Sequence, residues 1–323
     1  MDSAGRCDAV MKLPRQVINE LRVQPGQPAR LSARSTKKTT TDWLRGLGRA
    51  GPRELADRDL DAFKAELQAA QELLYANGRW ALLLIFQALD AAGKDGTIKH
   101  VMSGVNPQGC EVVSFKQPSR EELDHDILWR CARALPARGR IGIFNRSYYE
   151  EVLVVRVHPE LLTAEHLPLG QKAGKSLWRA RYEDINTFER HLARDGTRIV
   201  KFFLHVSKEE QRRRFLQRID DPARQWKVSP SDMAERAHFD DYQRAYEDVL
   251  TATSTPWAPW YVVPADHKHQ LRALVGAVVV DAVRGLKLKT PAVDEEKAAA
   301  IRAARERLLA EGPARLGRGT GGT

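Results

Sequence analysis

The sequence predicts an α/β fold in which helices cover both faces of a five-stranded parallel sheet. Short apolar runs recur along the chain, and the segments between them are long enough for crossover helices. The first run reads Ala-Leu-Leu-Leu-Ile-Phe and suits a strand buried on both faces. The predicted strands are residues 80–86, 111–115, 140–144, 199–206 and 260–263. Ligands of such a sheet bind at the carboxyl ends of its strands.

Length, composition and charge limit the classes of protein to consider. The 323 residues suffice for one α/β domain with extensions, and 42% hydrophobic with 29% charged residues is typical of a globular chain. Lys and Arg outnumber Asp and Glu by 52 to 42, which gives a net charge of +10. This excess favours polyanionic partners, among which nucleic acid and polyphosphate both qualify.

The sequence shows no membrane span, secretory signal or cysteine motif that would point to a function. The apolar runs are far shorter than the roughly 20 residues that cross a bilayer, and the N-terminal residues lack the apolar segment of a secretory signal. A cytoplasmic protein without a membrane span is therefore expected. Cys7, Cys110 and Cys131 show neither a disulfide framework nor metal-type spacing, so we expect small buried hydrophobes.

The chain divides into an arm, a core domain and a tail. Residues 1–56 mix Pro, Gly, Ser, Thr and Arg without sustained periodicity and are expected to form an extended arm. From Leu60, apolar residues recur at spacings of three and four, which predicts an amphipathic helix leading into the core. The core domain is placed at residues 57–290. Residues 291–323 are interpreted as a surface helix, over residues 294–311, followed by a flexible tail.

A phosphate-binding loop directly follows the first strand. Residues 88–97 read Ala-Leu-Asp-Ala-Ala-Gly-Lys-Asp-Gly-Thr and approximate Gly-x-x-x-x-Gly-Lys-[Ser/Thr] between a strand and a helix. Backbone N–H groups of such a loop cradle phosphate oxygens, and the Lys94 ammonium reaches the phosphoryl group in transit. We therefore expect Lys94 to be catalytic. The loop residues expected to bind phosphate are Ala91, Ala92, Gly93, Asp95, Gly96 and Thr97.

Magnesium is expected to bind beside this loop through Asp90 and Asn145. Asp95 replaces the hydroxyl residue that normally holds the ion, whereas Asp90 supplies a carboxylate of the kind that Mg²⁺ prefers, with Mn²⁺ as a substitute. Asn145 ends the third strand at the position that is acidic in phosphate-loop enzymes. The adjacent Arg146 is placed to stabilise charge on the transferred phosphoryl group.

A basic lid is predicted after the fourth strand, at about residues 207–235. Ser207 and Glu210 form a capping-box pattern that starts a helix. The helix carries Arg212, Arg213, Arg214 and Arg218. Arg214 and Arg218 share a face because they are four residues apart. We expect this face to bind phosphate, since guanidinium groups offer paired donors and stay charged.

The lid continues into a second helix, and further lysines extend the positive charge. Ser229 and Pro230 suit a helix start, which places Asp232 in the first turn. Lys99, Lys116 and Lys227 are expected to form a positive track away from the loop, as a long phosphate chain needs. Each assignment has a plainer alternative. These are a glycine-containing turn with a solvated lysine, a structural Arg146 paired with a glutamate, and a solvated basic helix face.

Taken together, these motifs closely resemble the type-two polyphosphate kinases, also called polyphosphate:nucleotide phosphotransferases. The resemblance covers about residues 60–284. It rests on four stretches: Asp-Ala-Ala-Gly-Lys-Asp-Gly-Thr from Asp90, Phe-Lys-Gln-Pro-Ser from Phe115, Asn-Arg-Ser-Tyr-Tyr-Glu from Asn145, and Gln-Trp-Lys from Gln225 with Ser229, Pro230 and Asp232.

The resemblance implies roles for particular residues. Asp90 and Lys94 match the family's essential loop acid and lysine, and Arg146 matches its strand-end arginine. Arg218 and Asp232 match the paired functional residues of its lid. The family commonly has Asp where Asn145 stands, and this variant is similar to the subgroup that phosphorylates nucleoside mono- and diphosphates.

The same resemblance implies a fold, an assembly and a reaction. Members have a three-layer α/β/α sandwich similar to thymidylate kinase, with a helical lid, and assemble as homodimers or homotetramers. The implied reaction is magnesium-dependent transfer between polyphosphate and AMP, ADP or ATP. Two alternatives stay open at this point: a nucleoside monophosphate kinase with ATP as donor, and a basic nucleic-acid-binding protein, for which no recognition motif is visible.

Overall fold

The computed structural model describes residues 15–39, 51–165, 167 and 173–311. Within these ranges it contains the predicted α/β architecture with a five-stranded, all-parallel sheet. The strands are β1 (Ala81–Gln87), β2 (Cys110–Ser114), β3 (Ile141–Asn145), β4 (Thr197–His205) and β5 (Trp260–Pro264). Their order across the sheet is β2-β3-β1-β4-β5.

Every strand boundary lies within two residues of its predicted position. All seven residues of β1 are buried, and Leu84 lies opposite Ile143 on one side and Val200 on the other. β4 begins earlier than the apolar run because Thr197 pairs with Ala81 in the sheet. Hydrophobicity thus located the strands, and backbone pairing extended one of them.

The described part of the chain contains twelve helices. They are α1 (Arg15–Leu21), α2 (Pro52–Asn77), α3 (Lys94–Val101), α4 (Arg120–Leu123), α5 (Trp129–Ala132), α6 (Glu150–Val157), α7 (Lys175–Arg194), α8 (Lys208–Ile219), α9 (Pro230–Glu235), α10 (Phe239–Thr253), α11 (Lys268–Arg284) and α12 (Glu295–Ala310). One layer contains α2, α3 and α11, and the other contains α6, α7 and α10.

The arm differs from its expected extended form. Its residues 15–21 form α1, which buries Val17, Ile18 and Leu21. The Val23 N–H then donates to the Trp260 carbonyl at 2.9 Å, so the arm is tied to the edge strand β5. The remaining arm residues 1–14 and 40–50 lie outside the described ranges, as does Cys7.

Helix α2 begins at Pro52, ahead of the predicted start at Leu60. Proline at the first helical position has its backbone angle preset for a helix and needs no N–H acceptor there. Leu55 and Ala56 are buried and extend the apolar stripe toward the N-terminus. The helix ends where Gly78 takes a left-handed angle of 61°.

Residues from Lys289 onward form a separate unit, which contains α12. Asp294 caps this helix through a hydrogen bond from the Lys297 N–H to its carboxylate, at 2.8 Å. Residues 312–323 of the predicted tail lie outside the described ranges. Of the cysteines that are described, Cys131 is buried and Cys110 is half-buried. None of the described helices is long and apolar enough to cross a membrane.

Candidate active site

The phosphate-binding loop joins the end of β1 to the start of α3. Gln87 is the last residue of the strand, and Lys94 is the first of the helix. Between them the backbone takes two left-handed conformations, at Ala91 with φ 61° and at Gly93 with φ 105°. Glycine adopts such an angle at little steric cost, so the turn favours Gly93. The first-turn N–H groups of α3 have no acceptor within the helix and remain available to an anion.

Lys94 lies against this loop rather than in solvent. Its side chain is 9% exposed, and Nζ donates to the Ala88 carbonyl at 2.8 Å. Burial, followed by the positive charge of Arg146, lowers the pKa of Lys94, whereas the Asp90 carboxylate opposes that shift. A desolvated ammonium interacts strongly with a nearby phosphoryl oxygen. Lys94 is therefore not the solvated lysine of a plain glycine turn.

Arg146 follows β3 directly and bridges two carboxylates. Its Nη2 lies 2.9 Å from Oδ1 of Asp90, and its Nη1 lies 3.3 Å from Oε2 of Glu150. The charge of Glu150 raises the pKa of Arg146, so the guanidinium stays positive at any working pH. The Arg146 N–H donates to the Phe86 carbonyl at 3.0 Å, which ties this residue to the end of β1.

A buried network fixes the turn that contains Arg146, whose φ is 66°. The hydroxyls of Tyr148 and Tyr149 both donate to Oε1 of Glu189, at 2.9 and 2.8 Å. Lys201 donates to the other oxygen of Glu189 at 2.6 Å, and this ion pair is fully buried. A left-handed angle at a non-glycine residue persists where the surrounding contacts over-determine it. The network supplies such contacts just after Arg146.

Asn145 and Thr97 make contacts that stabilise the start of α3. The Asn145 side-chain amide donates to Oδ1 of Asp95 at 2.9 Å. Thr97 is 1% exposed, and its hydroxyl donates to the Gly93 carbonyl at 2.9 Å. The hydroxyl proton of Thr97 is thus used within the helix. Binding of phosphate by Thr97 stays a prediction, and it would require this hydroxyl to give up its present acceptor.

Asp90 and Asn145 offer oxygen atoms to a divalent cation. The Asp90 side chain is 30% exposed and shares Oδ1 with Arg146. Asn145 uses its Nδ2 as a donor toward Asp95, and its Oδ1 is an acceptor. One carboxylate and one amide oxygen, completed by waters and substrate phosphates, form the kind of ligand set that Mg²⁺ takes. The donor chemistry of the two predicted residues therefore fits this ion.

The lid helices α8 and α9 bring Arg218 close to Asp232. Ser207 caps α8, where its hydroxyl oxygen accepts from the Glu210 N–H at 3.1 Å. Farther along the lid, Nη1 of Arg218 lies 3.8 Å from Oδ2 of Asp232. Burial and the negative charge of Asp90 raise the pKa of Asp232, and Arg218 opposes that shift.

Arg214 lies apart from Arg218, which corrects the expectation that the two form one phosphate-facing surface. Arg214 is 5% exposed, and its Nη1 donates to the carbonyls of Ala91 and Ala92, at 3.1 and 2.6 Å. Arg218 is more exposed and reaches Asp232 instead. One helical turn separates the two arginines, and that turn carries Arg218 past the loop to the lid.

A cleft of about 530 Å³ opens between the phosphate loop and the lid. Asp90, Arg146 and Glu150 line it from the edge of the sheet, and Ser231 and Asp232 line it from the lid. Other lining residues are Lys116, Gln117, Arg130, Tyr242 and Tyr246. The volume falls in the usual range for a small-molecule site, and the polar groups converge on the loop.

The three lysines of the predicted positive track do not lie together in this cleft. Lys116 lines it, whereas Lys99 and Lys227 are exposed and are not among its lining residues. The Lys227 ammonium instead lies 4.9 Å from the ring centroid of Trp226, whose side chain is largely exposed. The positive track away from the loop stays a prediction, and Lys116 is the member of it that lines the cleft.

Lys268 and Arg272 form a second basic group, termed here the α11 cluster. Nη2 of Arg272 lies 3.9 Å from the position that a Cβ on Gly96 would occupy, so the cluster lies beside the start of α3. Burial and the positive charges of nearby arginines, Arg214 first among them, lower the pKa of Lys268. Neither member lines the cleft. The cleft therefore opens beside Asp90 of the loop, and the α11 cluster lies beside Gly96.

Neither Glu150 nor the α11 cluster was predicted from the sequence as part of the site. Glu150 stands four residues after Arg146, a spacing typical of ion pairs along a helix. Lys268 and Arg272 also stand four apart, shortly after β5, at the end of the sheet where ligand-binding residues collect. The signals were present, but the same spacings occur on many surface helices.

Comparisons of sequence place this chain among known phosphotransferases. A family model described as Polyphosphate kinase 2 matches residues 52–291. The chain is 56% identical, over 243 residues, to the ADP-polyphosphate phosphotransferase of Rhodopseudomonas palustris. The aligned region covers 75% of this chain and 84% of that protein. The chain is also 44% identical, over 241 residues, to the AMP/ADP-polyphosphate phosphotransferase of Meiothermus ruber. That alignment covers 75% of this chain and 86% of that protein.

Comparison of structure agrees with comparison of sequence. The crystal structure of Polyphosphate Kinase 2 from Arthrobacter aurescens TC1 superposes with a TM-score of 0.78 at 40% sequence identity. The match covers 88% of this chain and 95% of that one. The resemblance inferred from the four motif stretches is thereby confirmed.

Proposed function

Because this chain belongs to the polyphosphate kinase 2 family, we propose that it transfers phosphoryl groups between inorganic polyphosphate and adenine nucleotides. In the synthetic direction AMP becomes ADP and ADP becomes ATP, while the polyphosphate chain loses one phosphate. Relatives whose names include AMP and ADP support both acceptors. The observation that carries the proposal is the position of the loop, with the cleft next to Asp90 and the α11 cluster next to Gly96.

The α11 cluster supports a long phosphate chain as the donor. A chain whose terminal phosphate is held by the loop has further negative charges to neutralise along its length. Lys268 and Arg272 supply positive charge beside the first turn of α3, outside the cleft. The cleft is then left for the nucleotide acceptor, and Arg146, which lines it, would receive the terminal phosphate.

The proposed chemistry needs positioning and charge stabilisation more than proton transfer. A terminal phosphate oxygen of ADP attacks the terminal phosphorus of the chain, and the bridging P–O bond breaks as the new P–O bond forms. The attacking oxygen is already anionic at neutral pH, so no strong general base is required. Lys94 and Arg146 stabilise the negative charge on the transferred group.

Magnesium is the proposed cofactor, held by Asp90 and Asn145 together with substrate phosphates. The ion would neutralise charge on the phosphates between donor and acceptor. Asn145 is neutral, so Asp90 supplies the one negative charge of this proposed pair. Arg146 binds the same Asp90 carboxylate that would bind the ion. This ion pair limits how far the Asp90 side chain can reorient.

The transfer is tested by incubating the protein with Mg²⁺, long-chain polyphosphate and either AMP or ADP, followed by chromatography of the nucleotides. The proposal predicts ADP from AMP and ATP from ADP. A second arm contains AMP and ATP without polyphosphate. Product in the second arm alone would support an ATP-dependent nucleoside monophosphate kinase instead.

Location and assembly stay predictions. We propose a cytoplasmic homodimer or homotetramer, on the basis of the resemblance described above. Size-exclusion chromatography with light scattering tests the assembly, since a single species of 36.4 kDa would exclude both oligomers. Nucleic-acid binding is not favoured by the relatives, and a gel shift at moderate salt tests it.

A further inference from the structure

Helix α8 binds three successive carbonyl groups of the phosphate loop. Nε2 of Gln211 donates to the Asp90 carbonyl at 3.1 Å. Nη1 of Arg214 donates to the carbonyls of Ala91 and Ala92, at 3.1 and 2.6 Å. Gln211 and Arg214 are 3% and 5% exposed, so these contacts are shielded from water.

Arg214 uses all of its five N–H donors in this position. Besides the two loop carbonyls, its Nη2 donates to the carbonyls of Ala265 and Asp266, which follow β5. Its Nε donates to Oε1 of Glu210 at 2.7 Å. A guanidinium presents five donors in a rigid plane, whereas the lysine ammonium presents three without a fixed fork. The site is thus specific for arginine.

These contacts determine the direction of the loop N–H groups. The peptide group is planar and trans, so a carbonyl held on one side aims the N–H of the next residue to the opposite side. The carbonyls of Asp90 and Ala92 are held against α8, which turns the N–H groups of Ala91 and Gly93 away from it. The Ala92 N–H between them donates to the Leu89 carbonyl at 3.2 Å. N–H groups that point to one side of a loop can form an anion-binding concavity, and those of Ala91 and Gly93 are the two proposed for it.

We propose that Gln211 and Arg214 are positioning residues that hold the loop N–H groups toward the phosphate of the donor. The proposal rests on the proposed function, because it takes polyphosphate as the anion in the loop. Neither residue contacts the phosphate. Their effect is to keep the loop in its binding conformation before the donor arrives, which avoids the cost of ordering it during binding.

Arg236, which directly follows α9, joins the same set of contacts. Its Nη1 donates to Oε1 of Gln211 at 2.8 Å and to the Lys208 carbonyl at 2.9 Å. Arg236 also lines the cleft. The Gln211 amide therefore accepts from a cleft residue and donates to the Asp90 carbonyl, which fixes the orientation of that amide.

The first test compares Arg214→Lys with Arg212→Lys, a change at an exposed arginine of the same helix. Tripolyphosphate is the probe, and its affinity is measured by calorimetry alongside the KM for ADP at saturating polyphosphate. Arg214→Lys is expected to weaken tripolyphosphate binding by at least about tenfold, since several buried hydrogen bonds are lost, with the KM for ADP nearly unchanged. Arg212→Lys is expected to change neither.

Gln211→Ala provides a second test if Arg214→Lys fails to fold. It removes the hydrogen bond to the Asp90 carbonyl and one of the two acceptors of Arg236 Nη1, so folding is expected and the loss of tripolyphosphate affinity is about threefold to tenfold. Wild-type affinity in this variant, or an equal loss of tripolyphosphate and ADP binding, would overturn the proposal. Failure of the proposed function has a different signature, namely tripolyphosphate binding without transfer in the wild-type protein.

Discussion

Arg146 and Asp90 form an ion pair, 2.9 Å between Nη2 and Oδ1, that connects the end of β3 to the phosphate loop. The pair holds one catalytic candidate against the proposed metal ligand. Asp232 of the lid lines the same cleft as Asp90, and burial followed by the charge of Asp90 raises the pKa of Asp232. Three charged side chains from the loop, the sheet and the lid therefore respond to one another in the cleft.

Asp90→Asn is expected to raise the magnesium concentration needed for activity and to lower the maximal rate. The change removes one negative oxygen ligand, and the partner ligand Asn145 is neutral already. A magnesium titration of steady-state transfer measures the effect, with Asp61→Asn on the exposed side of α2 as the control. An unchanged titration curve for Asp90→Asn would move the metal site away from this loop.

Arg218→Ala is expected to lower transfer strongly without loss of fold. Arg218 lies beside Asp232 in the lid, and the resemblance gives the two residues a shared role. Arg212→Ala, on an exposed face of the same helix, is expected to have little effect. Rates of transfer from polyphosphate to ADP measure the contrast. Equal, modest losses of transfer rate in both variants would contradict a role for Arg218 in the reaction and would indicate that both arginines contribute only surface charge.

Lys201→Met is expected to destabilise the fold by about 3–5 kcal/mol, because it leaves the buried Glu189 carboxylate without its cation. The double variant Lys201→Met, Glu189→Gln should recover most of this loss. In the double variant, the side-chain amide oxygen introduced by Glu189→Gln still accepts from Tyr148 and Tyr149, and no charge is buried at this position. Urea unfolding of both variants is the measurement. A double variant as unstable as Lys201→Met would contradict the charge-based explanation.

His205 is expected to make stability depend on pH on the acid side of neutrality. Burial lowers the pKa of His205 to about 4, below the usual 6.5 or so of the unfolded chain. Between these values the unfolded chain binds more protons, so the free energy of unfolding falls as pH falls. From pH 7 to pH 5 the loss through this group is about 2 kcal/mol.

The comparison that isolates this group is His205→Gln against the wild type. Thermal or urea unfolding at pH 7 and pH 5 gives the change in free energy for each protein. The variant should lose less stability than the wild type over that interval. The same pH dependence in both proteins would show that His205 is not the group responsible.

The strands and the loop were predictable because their signals are local. A continuous apolar run such as residues 81–86 indicates a strand buried on both faces, and the spacing around Lys94 places a helix directly after it. Ser207, with Glu210 three residues later, likewise predicted the start of α8. Each prediction needed only neighbouring residues, and each is matched by an element of the fold.

The contacts of Arg214 and Lys201 were not predictable for the opposite reason. Helical spacing showed which face Arg214 shares with Arg218, but not that loop carbonyls more than a hundred residues earlier would bind it. Lys201 lies within an apolar strand, and its partner Glu189 comes from α7. Such pairs are set by packing between distant elements, for which a single sequence carries no periodic signal.

The central claim is tested most directly by following a labelled phosphate from donor to acceptor. Wild-type protein and Lys94→Ala are each incubated with Mg²⁺, ADP and polyphosphate labelled with ³²P, and the nucleotides are then separated. With the wild type, label is expected in the terminal phosphate of ATP. With Lys94→Ala, at least about a hundredfold less label is expected at an unchanged melting temperature. Absence of label from ATP with the wild type, or undiminished transfer by Lys94→Ala, would contradict it.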